Sequence, residues 1–321
     1  MTKIIDCTIR DGGHLNNWKF DIDFVKQLYS AAIKSGVDYF EVGYRNIKND
    51  NYGNFASCDD DFLFSVFDVA KNCKLSVMAD AGKTDFSLFK KCLPDLTPIS
   101  MVRIATYPEK LDEAFNLCEK LKNKGYETVL NLMAFAKYNE KDIEKLQNWE
   151  NKELLNSVCY SDSFGSFLPD DVMKYYEKLK ECGFNSISFH AHNNLQLAFA
   201  NSITAINADF YSVDASLNGI GRCAGITPVE LILWYLKKIN NEKYNPIPYL
   251  EFIFSHKNEI NTCSVENRLK AIIGGIKNIH PNYINELFNN SKISLKDIIK
   301  QADNICNSDL ISHKSGIINK E

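Results

Sequence analysis

The chain has 321 residues, of which 45% are hydrophobic and 24% are charged, the balance of an ordinary soluble globular protein. Its formal net charge of −4 leaves no basic surplus for broad binding to nucleic acid or to an anionic membrane surface. No apolar run approaches the roughly 20 residues that span a bilayer, and no apolar signal core precedes the first predicted strand. We therefore expect a cytoplasmic protein that binds neither nucleic acid nor membranes.

Short apolar runs alternate with amphipathic segments of helical length, which is the pattern of an α/β protein with a parallel sheet covered by helices. Asp21–Ser35 and Lys110–Lys124, for example, have apolar residues at helical spacing. The eight predicted strands are Lys3–Thr8, Tyr39–Val42, Leu75–Ala79, Met101–Ile104, Thr128–Met133, Val158–Asp162, Ser186–His190 and Phe210–Asp214.

Eight such units in about 240 residues match the size of a (β/α)8 TIM barrel, whose functional side chains come from the carboxyl ends of the strands. The alternative is an open doubly wound sheet. That fold would gather its site at one switch point and would not use the first, sixth, seventh and eighth strands together. We therefore predict the barrel.

The pattern changes near residue 240, where an Asn-, Lys- and Pro-containing segment begins. We predict a barrel over residues 1–239 and a short helical C-terminal region over residues 240–321. Within that region Ala271–Gly275 and Tyr283–Phe288 have apolar faces that need a packing partner, and Ser308–Glu321 is expected to be a polar tail.

The chemistry-bearing groups are concentrated in two distant segments. His190 and His192 are two residues apart at the end of a predicted strand, so they project from the same face. With Asp11, which follows the first strand, they form the mixed oxygen and nitrogen set that divalent transition metals accept. We predict these three as metal ligands, with Arg10 facing an oxyanion. The alternative is that both histidines are hydrogen-bonded core residues.

Ten cysteines are scattered singly, with no C-x-x-C pair, so neither a disulfide framework nor a thiolate zinc site is indicated. Cys223 lies in a glycine-rich loop near the predicted site. No base adjoins it in sequence, which favours an incidental thiol over a nucleophile.

Three stretches together resemble one family. They are Arg10-Asp11-Gly12-Gly13-His14, the segment Ser161-Asp162-Ser163-Phe164-Gly165-Ser166-Phe167-Leu168-Pro169-Asp170-Asp171-Val172, and the pair His190–Leu195 and Asp214–Gly221. They are similar to the pyruvate-specific, metal-dependent 4-hydroxy-2-oxoacid (4-hydroxy-2-oxovalerate) aldolases. These belong to the TIM-barrel metallolyase superfamily that also holds isopropylmalate synthase and hydroxymethylglutaryl-CoA lyase. The resemblance covers roughly residues 1–235.

The resemblance implies a lyase that forms or cleaves a 4-hydroxy-2-oxoacid from pyruvate and an aldehyde through a pyruvate enolate, with bound Mn²⁺ or Mg²⁺ as Lewis acid. Arg10 would donate to the enolate oxygen, its alternative role being a salt bridge at the barrel mouth. His14, expected on the same mouth loop, would take the proton of the 4-hydroxyl. Its alternative is an ordinary surface histidine.

Four further residues are predicted to contact or orient the substrate. Glu41 is expected to orient Arg10 or a ligand, with a structural ion pair as the alternative, and Asp162 is expected in a similar supporting place. Asn218 and its glycine-rich loop could line the site or form only a tight turn. Tyr44 begins the polar, basic stretch Tyr44-Arg45-Asn46, which suggests a larger hydroxylated or anionic aldehyde.

The chain departs from the family pattern in two places. Ile226 stands where the family commonly has an asparagine, so the resemblance does not extend to a further side-chain contact near the metal. The C-terminal region is short, and Tyr283 and Lys277 are the candidates for the tyrosine that assists catalysis in bifunctional relatives. The family also suggests a homodimer and an aldehyde dehydrogenase partner. A Claisen-type acyl-CoA synthase or lyase and a non-catalytic scaffold are the alternative functions.

Overall fold

The computed structural model describes residues 1–46, 48–239, 241–260, 264–289 and 294–306. Eight parallel strands form a closed barrel in chain order, each pairing with the next and the last with the first. The strands are β1 Lys3–Asp6, β2 Tyr39–Tyr44, β3 Lys74–Asp80, β4 Ile99–Thr106, β5 Glu127–Leu132, β6 Ser157–Asp162, β7 Ile187–Ala191 and β8 Ser212–Ala215. The predicted (β/α)8 barrel is confirmed, and the pairing of β1 with β8 rules out the open sheet.

Helices cover the outside of the barrel. Helix α2 shows why: Asp21 accepts the backbone N–H of Phe24 and caps its first turn, while Val25 and Leu28 are buried on its inner face. The helices of the barrel part are α1 Thr8–Asn16, α2 Ile22–Lys34, α3 Asp60–Val66, α4 Leu111–Asn123, α5 Glu140–Asn148, α6 Pro169–Glu181, α7 Ala198–Asn207 and α8 Val229–Lys238.

The first strand is shorter than predicted. It ends at Asp6, and the expected mouth loop is instead the helix α1. Two adjacent glycines, weak helix formers, made this segment resemble a loop. A Cβ at Gly13 would lie 2.1 Å from the Trp18 indole, and the indole Nε1 donates to the Arg10 carbonyl at 3.0 Å. Packing of this indole therefore explains both the glycine and the helix.

Where the structure describes the C-terminal part, it contains four helices, α9 Ile247–Ser255, α10 Val265–Lys277, α11 Pro281–Phe288 and α12 Leu295–Cys306. Helix α9 packs on α2, and Tyr249 and Phe252 are buried in the barrel's main core. The other three helices form a small core of their own, comprising Ile273, Ile279, Tyr283, Ile284, Leu287, Ile298, Ala302 and Ile305. The two apolar faces predicted in this region thus pack within this small core.

The C-terminal helices also contact the barrel mouth. Ser166, after β6, donates to the Asn278 side chain at 3.1 Å. The predicted domain boundary at residue 239 stays a prediction, and the predicted polar tail Ser308–Glu321 lies outside the described residues. Within the described ranges no helix is both long and apolar enough to cross a membrane.

Candidate active site

Three potential metal ligands meet at the carboxyl end of the barrel. Asp11 comes from α1, His190 from the end of β7, and His192 from just beyond it. One ligand atom of each lies within 4.8 Å of the other two, and all three side chains are buried. His190 Nε2 is 3.6 Å from Asp11 Oδ2. The strand geometry thus places both imidazoles beside one carboxylate, as their spacing predicted.

Hydrogen bonds fix the orientation of both imidazoles. His192 Nδ1 lies 3.0 Å from the backbone oxygen of Asp162. A carbonyl oxygen only accepts, so this nitrogen donates and Nε2 keeps its lone pair. His190 Nδ1 faces the Asp214 carboxylate at 2.8 Å, which fixes the same tautomer. Burial, followed by the charge on His190, lowers the pKa of His192 to about 3, which favours the neutral form that ligates a metal.

The third donor is an ionised carboxylate. Burial opposes the charge on Asp11, but Arg10, followed by the two histidines, holds the pKa of Asp11 far below its usual range. Its Oδ1 accepts the backbone N–H of Arg222 at 2.9 Å. A Cβ at Gly221 would come within 2.8 Å of that oxygen, so this close approach requires glycine. A carboxylate and two imidazoles fit a divalent cation.

Behind the ligands, buried charges alternate across the barrel interior. Arg10 Nε donates to Glu41 at 2.7 Å, and Arg103 donates to the same Glu41 oxygen at 3.1 Å. Arg103 also donates to Asp214 at 2.6 Å, and Asp214 accepts from His190. All five side chains are buried. Because each buried charge has an opposite partner, the Arg10 guanidinium and the His190 ring are both held in place.

The site opens into a cavity of about 710 Å³. His14, one turn after Arg10 and Asp11 on α1, lines it. The His14 ring meets the Trp18 and Tyr44 rings edge-on, with centroids 4.7 and 6.2 Å apart. His14 is exposed to solvent. Burial against the cavity wall lowers the pKa of His14, and the charges of Arg222 and Arg10 lower it further. The Asp11 carboxylate acts in the opposite direction.

Known proteins resemble this chain over most of its length. The sequence profile described as HMGL-like matches residues 1–247. The chain belongs to the HMGL-like family. It is 30% identical over 247 residues to a 4-hydroxy-2-oxovalerate aldolase of Carboxydothermus hydrogenoformans, covering 75% of this chain and 72% of that protein. It is 25% identical to an oxaloacetate decarboxylase of Mycobacterium tuberculosis, covering 73% of this chain and 70% of that protein.

Two solved structures share the fold. The N-terminal domain of a candidate aldolase from Bacteroides vulgatus superimposes with a TM-score of 0.81 at 29% identity, covering 93% of this chain and 99% of that chain. An HMG-CoA lyase from Brucella melitensis superimposes with a TM-score of 0.63 at 14% identity, covering 80% and 98%. The predicted resemblance is confirmed.

The four predicted supporting residues have different surroundings. Glu41 holds Arg10, and Tyr44 lines the cavity beside His14. Asp162 orients His192 through its backbone oxygen, while its carboxylate accepts the N–H groups of Ser166 and Phe167. Asn218 is exposed and lies outside the lining of the 710 Å³ cavity. Its backbone N–H donates to Glu230.

The basic stretch after β2 does not supply a cation to the cavity. Arg45 is buried and paired with Asp60 at 2.6 Å, outside the cavity lining. Ile226, at the position where the resemblance implied an asparagine, is buried in an apolar cluster with Ile5 and Cys7. The positive charge of Arg45, expected near the aldehyde, is therefore absent from the cavity lining.

Tyr283 and Lys277, the candidates for an assisting residue in the C-terminal region, do not line the 710 Å³ cavity. Tyr283 is fully buried in the small C-terminal core, and Lys277 pairs with Asp303 at 2.5 Å. The C-terminal residues that line the cavity are His280 and Asn282. Cys223 lines a second cavity of about 370 Å³ between the barrel and these helices.

Sequence reasoning missed several residues of the site. Arg103 and Asp214 were given no role, although Asp214 begins one of the stretches that carry the resemblance and a charged residue within a buried strand was itself a signal. Asn131, on β5, lines the cavity, and its Oδ1 accepts no hydrogen bond in the described structure. Asp80, on β3, lines it as well, and burial raises its pKa, opposed by Lys83 and Arg10.

Proposed function

We propose that this chain is a divalent-metal-dependent aldolase that forms or cleaves a 4-hydroxy-2-oxoacid from pyruvate and an aldehyde. The observation that carries the proposal is the triad Asp11, His190 and His192 beside the Arg10 guanidinium in one cavity. The aldolase names of relatives similar over about three quarters of this chain support it. We propose Mn²⁺ or Mg²⁺ as the ion. A homodimer and a dehydrogenase partner remain expectations from the resemblance alone.

Cleavage of the C3–C4 bond leaves the enolate of pyruvate, so the site must stabilise negative charge on the 2-oxo oxygen. A divalent cation held by the triad supplies Lewis-acid stabilisation of that charge. Arg10 donates a second, charge-assisted interaction to the same oxygen. Glu41, 2.7 Å from Arg10 Nε, fixes the guanidinium, so little reorganisation is needed as the charge develops.

The reaction also needs a base for the 4-hydroxyl. His14 lies on the cavity wall, and its lowered pKa keeps the imidazole neutral near physiological pH. It accepts the hydroxyl proton during cleavage and returns it during addition. The edges of Trp18 and Tyr44 pack against the ring. These contacts hold the imidazole in place at the cavity wall.

The proposal is tested by hydrogen–deuterium exchange at the methyl group of pyruvate in D₂O, which needs no knowledge of the aldehyde. We expect exchange with added Mn²⁺, loss of exchange with a chelator, and loss in the Asp11→Asn and His190→Ala variants. His256→Ala, directly after α9 and outside the cavity, is the matched control. Mass spectrometry of pyruvate gives the exchange rate. Absence of exchange by protein with bound metal would contradict the proposal.

A second measurement separates the aldolase from an acyl-CoA-dependent synthase or lyase. The wild-type protein should add pyruvate to small aldehydes without any dependence on acetyl-CoA. Release of CoA from acetyl-CoA and a 2-oxoacid, without pyruvate exchange, would instead favour the Claisen-type reaction.

A further inference from the structure

A second arginine lies in the cavity wall. Arg222, in the loop between β8 and α8, is half-buried and lines both the 710 Å³ cavity and the adjoining 370 Å³ cavity. Its backbone N–H is tied to Asp11. Its guanidinium turns to the C-terminal region, where Nη2 donates to Asn282 Oδ1 at 2.9 Å and lies 3.5 Å from His280 Nε2. The side chain is therefore held from both ends.

Arg222 differs from the other arginines of the barrel. Arg10, Arg45 and Arg103 each have a carboxylate partner. Within the described ranges no carboxylate lies at ion-pair distance from Arg222, and its Nε and Nη1 donate to no protein acceptor. A guanidinium fixed in a partly enclosed wall without a counter-charge favours an anion there.

The position also indicates which part of a substrate carries that anion. The carboxylate and 2-oxo group of pyruvate belong beside the triad and Arg10. The Arg222 guanidinium is bound to Asn282 and lies beside His280 at the start of α11, whose dipole adds positive potential. A 710 Å³ cavity falls in the range that accepts drug-sized ligands, which leaves room well beyond a three-carbon acid.

We propose that Arg222, positioned by Asn282, is an anion-binding subsite for the aldehyde half of the substrate. The aldehyde then carries an acidic group, and the product of addition is a 4-hydroxy-2-oxoacid with a second acidic group far from the first. This inference rests on the proposed aldolase function. It also gives the C-terminal helices a role in substrate selection, because Asn282 holds the selecting side chain.

The test compares succinic semialdehyde with butanal as acceptors for pyruvate. Arg222→Met should raise the KM for succinic semialdehyde by about 10- to 100-fold, the loss of affinity expected when one charge-assisted hydrogen bond is removed. The KM for butanal should not change. Arg222→Lys should recover part of the loss. Asn282→Asp should mimic Arg222→Met, because the new carboxylate would neutralise Arg222 within the fold. Arg268→Met, on the exposed face of α10, removes an arginine without touching the cavity.

A pair of phosphorylated and unphosphorylated acceptors identifies the acidic group. Glyceraldehyde 3-phosphate is compared with glyceraldehyde in the same variants. A larger Arg222 effect with the phosphorylated acceptor identifies a phosphate, and a larger effect with succinic semialdehyde identifies a carboxylate. Equal KM values for charged and neutral acceptors in wild type and Arg222→Met would overturn the subsite.

Pyruvate exchange keeps the two hypotheses separable. Normal exchange without any charge preference would refute the subsite and leave the aldolase standing. A tenfold rise in the KM for pyruvate exchange in Arg222→Met would also overturn the subsite, because Arg222 would then bind the pyruvate carboxylate. If exchange is absent altogether, the subsite is tested by calorimetric titration of the protein with succinic semialdehyde and with butanal. Tighter binding of the anion that disappears in Arg222→Met supports the subsite, and equal binding refutes it.

Discussion

The Nδ1 atom of His190 lies 2.8 Å from a carboxylate oxygen of Asp214 at the centre of the barrel. The same oxygen accepts from Arg103 at 2.6 Å. Burial opposes the charge on Asp214, but Arg103, followed by the hydrogen bond from His190, keeps the pKa of Asp214 at about 2. A permanent anion therefore fixes the His190 tautomer and aims Nε2 at the cavity.

We predict that Asp214→Asn weakens Mn²⁺ binding by about 10- to 100-fold, the usual cost of losing a partner that orients a metal-ligating histidine. Stability should fall too, because Arg103 loses a buried counter-charge. Calorimetric titration with Mn²⁺ and thermal unfolding measure the two effects. Asp112→Asn, whose exposed carboxylate pairs with Lys145, should change neither. Unaltered Mn²⁺ affinity would show that Asp214 does not support the metal site.

Arg10→Ala is expected to lower the turnover number by about 10²- to 10³-fold, the effect of removing an oxyanion donor. The fold should survive, because Glu41 keeps Arg103 as a partner at 3.1 Å. Steady-state kinetics and circular dichroism check the two statements. Arg268→Met is the matched control. A variant that misfolds, or that keeps near-normal turnover, would indicate a structural role for Arg10.

His14 sets the expected acid limit of activity. Its pKa is lowered from the usual 6.5 to about 4 by the enclosing wall, followed by Arg222 and Arg10, against the pull of Asp11. Since the ring is partly open to solvent, we expect the acid limb of kcat/KM for cleavage between these two values. The base is neutral above its pKa, so activity is present there and falls as the pH drops through it.

Two variants test this assignment. His14→Ala should reduce cleavage by about 10²- to 10⁴-fold, the range for general acid–base catalysis, and should remove the acid limb. Arg222→Met should move the limb to higher pH, because a positive charge that disfavours the imidazolium is gone. A limb that stays in place in both variants would mean that another group controls it.

Asp6 should make stability depend on pH. It is fully buried at the end of β1 and accepts from the Thr8 backbone and hydroxyl and from the Tyr249 hydroxyl. Burial raises its pKa from the usual 3.8 to about 6, against these hydrogen bonds. The folded state therefore favours the protonated acid. Protonated Asp6 therefore contributes about 3 kcal/mol to the free energy of unfolding. This contribution is fully present below pH 3.8 and is lost as the pH rises through 6.

Urea unfolding of wild type and Asp6→Asn between pH 4 and pH 7 measures this contribution. The free energy of unfolding of wild type, relative to the variant, should decline across that interval. Asp112→Asn, whose exposed carboxylate pairs with Lys145, is a control for general charge effects. A constant difference between wild type and Asp6→Asn would contradict the raised pKa.

The sequence by itself determined the number and order of the strands and the pairing of two histidines on one strand face. Both follow from local patterns: apolar runs bounded by polar turns, and the two-residue repeat of an extended chain. The position of Asp11 after the first strand placed it at the same end of the barrel. These predictions needed no knowledge of which distant residues touch.

The tertiary structure decided where distant groups meet. Helix α1 forms despite two glycines because the Trp18 indole packs on Gly13. Arg103 meets Asp214 across 111 residues, and Arg222 meets Asn282 across 60. Such contacts depend on barrel closure and on the packing of α10–α12 at the mouth. Local sequence patterns do not predict these contacts, because the partners are far apart in the sequence and become neighbours only in the folded chain.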